Sequence, residues 1–251
     1  MVGLTRSAVD DRVIWHDVEC ASYSVDLTLW RELAAAARGP VLDLGSGTGR
    51  VALDLAERGH EVTAVDSDSA LVDALAERAR ERGLRIRTVT ADARTLNLGT
   101  EPFLALAIAP MQVVQLLGGA AGRTAMLERV RAHLQPGGLL AAAVADPFEG
   151  EAAEIVGPPL PDVREQAGWV FQSQPIAVRQ VPGGSEIDRV RQAVSPSGEL
   201  SESFNTIRLD DLAPEELESD GRSAGFRVRP RRSIPPTGDY VGSTVVVLEA
   251  P

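Results

Sequence analysis

The stretch Val41 to Arg50, VLDLGSGTGR, sets an apolar run holding one acid, Asp43, against three glycines at alternate positions, Gly45, Gly47 and Gly49. Glycines so placed let a ligand approach backbone that a Cβ would otherwise shield. A dinucleotide fingerprint, G-x-G-x-x-G, would put its third glycine where this chain has Arg50, so the spacing departs from that pattern. Asp66 closes a second run, EVTAVD, twenty-one residues after Gly45. A carboxylate there can accept both hydroxyls of a ribose. Asp92 closes a third run, TVTAD. Alone it reads equally well as a cap, but three such sites at three successive strand ends point to a single ligand.

The elements that must position these residues follow from the hydropathy pattern. From Val41 to about Val144, short apolar runs alternate with longer stretches of helical spacing: PVLDLG, EVTAVD, RIRTVTAD, FLALAIAP and GGLLAAAVAD read as strands. Continuous apolar strands alternating with helices are the mark of a parallel sheet covered on both faces, a doubly wound α/β fold. Between Arg123 and Leu134, Met126, Leu127, Val130 and Leu134 recur at helical spacing, and Pro136-Gly137-Gly138 stops that helix. Before the first strand, SVDLTLWRELAAAARG reads as one amphipathic helix, the core of an N-terminal cap over residues 1–38. Phe148 to Asp162 reads as an exposed connection. The pieces WVFQSQ, IAVRQV, EIDRVRQAV and LSESFNTIRL then suggest an antiparallel β-rich insert over 148–209. A helix from Pro214, a strand from Phe226 and the run STVVVLE complete a main domain of residues 39–147 and 210–251.

Composition narrows the chemistry. A net charge of −11 argues against a nucleic-acid partner, which would want a basic face. All 25 basic residues are Arg, which excludes a Walker-type phosphate loop and a Schiff-base lysine. The single cysteine, Cys20, excludes a disulfide framework. The start MVGLTRSAVDDRVIW lacks the profile of a signal peptide, and Phe103 to Leu117 is too short and polar to span a bilayer. The expectation is a cytoplasmic protein that does not engage membranes. His16, His60 and His133 lie at no metal-ligand spacing, so no metal is expected. His16 and Cys20 stand four apart, side by side on a helix, but their segment shows no strong helical pattern. GRSAG, Gly221 to Gly225, matches a serine-hydrolase elbow but precedes a strand, and no histidine follows His133.

The run VLDLGSGTGRVALDLAERGHEVTAVDSDSALVDALAER, with HLQPGG, resembles class I S-adenosylmethionine-dependent methyltransferases of the small-molecule type. Their first motif is a hydrophobic strand followed by D/E-x-G-x-G-x-G. The resemblance implies a Rossmann-like sheet, mostly parallel, with an antiparallel last strand, and S-adenosylhomocysteine as the product. It implies cofactor contacts from Tyr23, Asp43, Gly45, Ser46, Gly47, Asp66, Ser67, Asp92, Ala93 and Ala109. In that family an acid at Asp92 accepts the adenine amine, and the N–H of Ala93 donates to the ring; a carboxylate can only accept, which selects the amino edge. Gln112 and Gln115 are candidates to position an acceptor. The acid that often precedes the fourth strand is absent, and APMQ stands where nucleic-acid and protein amide methylases carry Asn/Asp-Pro-Pro-Tyr/Phe. A small-molecule acceptor is therefore expected. No histidine base stands at the expected strand ends, which points to nitrogen before oxygen, or to an oxygen acidic enough to ionise alone, with no catalytic residue assigned. Strand-rich inserts in related sugar-amine and glycine-type N-methyltransferases cover the acceptor or form a dimer contact, so a homodimer is a further expectation. A nicotinamide-dependent oxidoreductase and a non-catalytic cofactor-binding protein are the alternatives.

Overall fold

The computed structural model describes residues 11–99, 104–145, 160–237 and 240–251. Five parallel strands, β1 (Val41–Leu44), β2 (Val62–Asp66), β3 (Ile86–Thr90), β4 (Leu104–Ala109) and β5 (Leu134–Val144), form the centre of one sheet. Two later strands, β10 (Arg227–Ile234) and β11 (Ser243–Glu249), extend it to the order β10-β11-β5-β4-β1-β2-β3, with β11 antiparallel to both neighbours. The expected antiparallel last strand is thus present. Every residue of β1 and β4 is buried, as their unbroken apolar runs require for strands covered on both faces. On one face pack α5 (Gly119–His133) and α6 (Pro214–Ser223), through Met126, Leu127, Val130 and Leu217. On the other pack α2 (Leu27–Ala37), α3 (Arg50–Glu57) and α4 (Ser69–Glu81), through Trp30, Leu33, Leu55 and Leu75. The glycine turn therefore opens at the carboxyl edge of the sheet's central region, between β1 and α3.

Between β5 and α6 a second, four-stranded antiparallel sheet runs in the order β6 (Asp162–Gln166), β7 (Trp169–Val181), β8 (Gly184–Val194), β9 (Leu200–Asp210). Two of its details differ from the sequence reading. WVFQSQ and IAVRQV are one strand, β7, with a register shift between Pro175 and Ala177. Proline has no N–H for the ladder, so the chain bulges there and the alternation that would mark one strand is broken. The connection expected over Phe148 to Asp162 falls mostly outside the described residues, and Asp162 already begins β6.

The larger difference lies at the N-terminal end. One helix was expected before β1; a second, α1 (Asp11–Cys20), precedes it. DRVIWHDVEC hides its helical period because an acid, Asp17, stands among its buried positions. Asp17 is among the buried residues, and partners from distant parts of the chain make that tolerable. Its Oδ1 accepts from Thr48 Oγ1 at 2.7 Å and from Arg78 Nη1 at 2.9 Å, and Arg164 of β6 stands 3.6 Å from Oδ2. On its apolar side α1 packs Ile14, Trp15 and Val18 against Phe171 and Ala193 of the second sheet, the Trp15 and Phe171 rings meeting edge to face at 5.7 Å. One short helix thus joins the glycine turn, α4 and the second sheet.

Burial by itself would raise the pKa of Asp17, but the hydrogen bonds from Arg78 and Thr48 outweigh it and hold the group below its ordinary value. Its contribution is complete above the unfolded carboxylate range and is lost as pH falls through the depressed native value. Asp17→Ala should lower unfolding stability by about 3 kcal/mol at neutral pH, by leaving Arg78 without its buried partner. Urea titration at pH 7 and again at low pH checks this, and the gap between variant and wild type should narrow in acid.

Candidate active site

The site is built from three strand tips. Beyond β1 the chain turns through Gly45 at φ +63° and Gly47 at φ +54°, a backbone region that side chains disfavour. A Cβ on Gly45 would lie 2.5 Å from a methyl of Val113, and one on Gly47 would run into the His16 imidazole. The turn is closed by Ser46 N–H donating to the Val65 carbonyl at 3.0 Å and Gly49 N–H donating to the Ser46 carbonyl at 2.9 Å. At the tip of β2, Asp66 accepts the Gly47 N–H at 2.8 Å and the Asp68 N–H at 3.0 Å. At the tip of β3, Asp92 caps a short 3-10 turn, Ala93–Thr95, by accepting the Arg94 N–H at 2.8 Å. The Arg94 guanidinium forks the same carboxylate, and this hydrogen bonding holds Asp92 below its usual pKa despite modest burial.

The three tips line one cavity of about 330 Å³ with Asp43, Gly45, Asp66 and Asp92 on its walls. Asp43 is 1% exposed and no side chain hydrogen-bonds its carboxylate, which faces only the backbone N–H of Ala52; the Ser46 hydroxyl is buried and unpartnered. Burial pushes Asp43 up to about 7, with the Arg50 charge acting in the opposite direction. Arg50 is itself committed elsewhere: it pairs with the fully buried Asp26 at 2.6 and 2.8 Å and donates to the Tyr23 carbonyl at 2.9 Å. A buried acid with no side-chain partner, on one cavity with an unpartnered hydroxyl, has the chemistry to receive a cationic donor group such as an α-ammonium.

The expected site residues fall into two sets. Ser46, Ser67, Ala93 and Gln112 line the same cavity as the three acids. Four others do not line it. Gly47 lies behind His16, and Ala109 is wholly buried in β4. Tyr23 packs its ring 4.8 Å from that of Tyr240, beneath the Arg50 guanidinium. Gln115, expected to position an acceptor, has its amide occupied by the fold. It donates to the carbonyls of Ala145 at 2.9 Å and Asp210 at 3.3 Å and accepts the Ala145 N–H at 3.0 Å. It ties the end of β5 to the end of β9 and has no free group to offer a substrate.

Lining residues that the sequence reading leaves unassigned include His16 and Cys20 from α1, Arg50, Arg94, and Met111 after β4. The four-residue spacing of His16 and Cys20 was the available signal, and α1 carries both to the cavity wall. Met111 takes φ +55°, which marks the turn beyond β4 as one whose shape is imposed by its surroundings.

Fold and site together define a Rossmann-like, nucleoside-binding enzyme. A family model for a methyltransferase domain matches residues 41–138. No curated protein matches the sequence. Among solved structures, CalS10, an amino pentose methyltransferase from Micromonospora echinaspora, is 20% identical, with 95% of this chain and 97% of that one covered at a TM-score of 0.72. The sugar N-methyltransferase KedS8 from a Streptoalloteichus species is 18% identical, with coverage of 93% and 91% and a TM-score of 0.70. The glycopeptide N-methyltransferase MtfA with S-adenosyl-L-methionine is 25% identical, with coverage of 92% and 97% and a TM-score of 0.58. Residues 41–138 thus match a methyltransferase domain, and the chain shares its fold with solved methyltransferases, among them MtfA bound to S-adenosyl-L-methionine. The oxidoreductase alternative is set aside with that finding.

The ionisation of Asp43 yields a paired expectation. Its pKa is raised on folding, so the free protein gains stability below the unfolded carboxylate value and loses it as pH rises towards about 7. Asp43→Asn should therefore resist urea better than wild type at pH 8. Calorimetry should show the same variant binding S-adenosylhomocysteine at least about tenfold more weakly, as loss of a charge-assisted hydrogen bond requires.

Proposed function

We propose that this enzyme methylates an amine nitrogen of a small polar acceptor, which approaches between α1, the second sheet and the Pro110–Gln115 turn. The observation that carries the reading is the chemistry of the cavity's β4 end. There Met111 and Gln112 line the wall, and the one thiol on the same cavity, Cys20 of α1, is pushed by burial up to about 12, where it stays protonated. No carboxylate or imidazole stands on that turn to take a proton from a phenol or alcohol. A neutral amine needs no such base. The three comparison proteins, described as amino-sugar, sugar N- and glycopeptide N-methyltransferases, support the same acceptor class.

A second cavity, of about 670 Å³, adjoins the C-terminal end of α1 and is lined by Glu19, Ser22, Asp162, Arg189 and Tyr240 among others. Its walls carry both charges and hydroxyls, which suits a polar acceptor and would reject an apolar one. Asp162 in particular is raised above the ordinary carboxylate range by burial, with Arg189 opposing.

S-adenosylmethionine supplies a methyl group already activated on a sulfonium. The protein's task is therefore alignment. Asp43, the Ser46 hydroxyl and the glycine turn would hold the amino-acid tail, Asp66 the ribose, and Asp92 with Ala93 the base. Gln112 would orient the acceptor with its neutral amide.

A panel of amino sugars, short amine-bearing peptides, phenols and carboxylates, incubated with labelled methyl donor, tests the proposal. The label should appear on nitrogen. The rate at subsaturating acceptor should climb with pH until the acceptor amine is deprotonated. Label on oxygen would refute the acceptor class, and firm cofactor binding with no turnover across the panel would favour the non-catalytic alternative.

A further inference from the structure

The strand tips leave one polar group of the cavity without a task, the imidazole of His16. Its surroundings fix which nitrogen carries the proton. Thr48 has one hydroxyl proton and donates it to Asp17 Oδ1 at 2.7 Å. Asp17 is held ionised by Arg78, so this direction does not reverse. The Thr48 oxygen also lies 3.3 Å from His16 Nδ1. With its own proton spent, the hydroxyl can only accept there, so Nδ1 must be the protonated nitrogen. Burial lowers the His16 pKa from 6.5, against the charges of Asp17, Asp66 and Glu19 and together with that of Arg78, and favours the neutral ring. A neutral ring protonated at Nδ1 presents a bare acceptor at Nε2.

The placement of that acceptor is specific. The Nε2–Cε1 edge lies over Gly47, in the space a side chain at 47 would need. The N–H of the same glycine goes to Asp66 at 2.8 Å. Two acceptors, a carboxylate and an imidazole nitrogen, therefore flank one glycine at the tip of β2. A cis-diol presents two donors.

We propose that His16 Nε2 accepts a hydrogen bond from one ribose hydroxyl of the bound cofactor while Asp66 takes the other, with Asp17 and Thr48 as positioning residues that set the tautomer. The inference rests on the reading that the β2 tip receives the ribose. The rival account is that His16 only fills space over Gly47.

Binding measurements separate the two. Calorimetry with S-adenosylhomocysteine should show His16→Phe, which keeps a ring but offers no lone pair, about tenfold weaker than wild type. His16→Gln, which restores an acceptor, should come within about threefold of wild type on the same scale of one hydrogen bond. For whichever of the 2′-deoxy and 3′-deoxy analogues lacks the hydroxyl bound by His16, wild type and His16→Phe should bind alike, because both now lack the same contact. In wild-type protein carrying ¹⁵N-histidine, the His16 spectrum should show protonated Nδ1 and bare Nε2, with the Nε2 signal moving when S-adenosylhomocysteine is added. Equal affinity of wild type and His16→Phe for S-adenosylhomocysteine, an undiminished gap with both deoxy analogues, or the reverse tautomer would each overturn the proposal. Wild type that binds no S-adenosylhomocysteine would overturn the cofactor assignment itself, and this contact with it.

Discussion

A carboxylate buried without an ion-pair partner is the constraint around which the rest of this molecule is arranged. Asp43 stands on the central region of the sheet, 1% exposed, with no side chain donating to it. Isolated burial of a charge is among the costliest things a fold can do, and proteins normally remove the charge or pair it. Here the nearby cation that would neutralise it, Arg50, is held by Asp26 in a two-point fork and by the Tyr23 carbonyl. A second acid, Asp26, thus takes the hydrogen bonds of that guanidinium, whose charge alone reaches Asp43. In the function proposed above, the cation that completes the site comes with the cofactor.

Much of this was readable because it is local. Unbroken apolar runs in β1 and β4, alternate glycines and acids closing successive strands carry their meaning within a few residues, and the doubly wound fold class follows from them. What stayed hidden depends on contacts between distant segments. The acids of α1 look like surface residues until Arg78 and Thr48 are seen to meet Asp17, and Arg189 and Arg191 to meet Glu19. Gln115 looks like a free polar group until the ends of β5 and β9 are brought to its amide. Its spacing after β4 suggested a ligand, while the tertiary structure assigns it a strut. Pro175 concealed the continuity of β7 for a related reason, since the partner strand rather than the local pattern carries the register across the bulge.

The division of labour between the two sheets follows from the chemistry. Transfer from an activated donor asks little of the protein beyond alignment and exclusion of water, so the parallel sheet needs fixed, complementary groups and few titrating ones. Recognition of the acceptor is a separate problem, and in the function proposed above the second sheet offers a separate surface of mixed charge for it. The two surfaces come together at α1.

That helix is more than a cover. Glu19 is gripped by Arg191 at 2.7 Å and by the Ser173 hydroxyl at 2.8 Å, both from the second sheet, while two residues earlier Asp17 is gripped by α4 and the glycine turn. Any rearrangement of the second sheet that pulls on Glu19 is transmitted along less than one helical turn to the glycine turn, the loop proposed to cradle the nucleoside. Evolution of a new acceptor preference by reshaping β7 or β8 would therefore alter the enzyme's grip on its methyl donor as well. Transplanting this sheet onto a related scaffold would require α1 to travel with it.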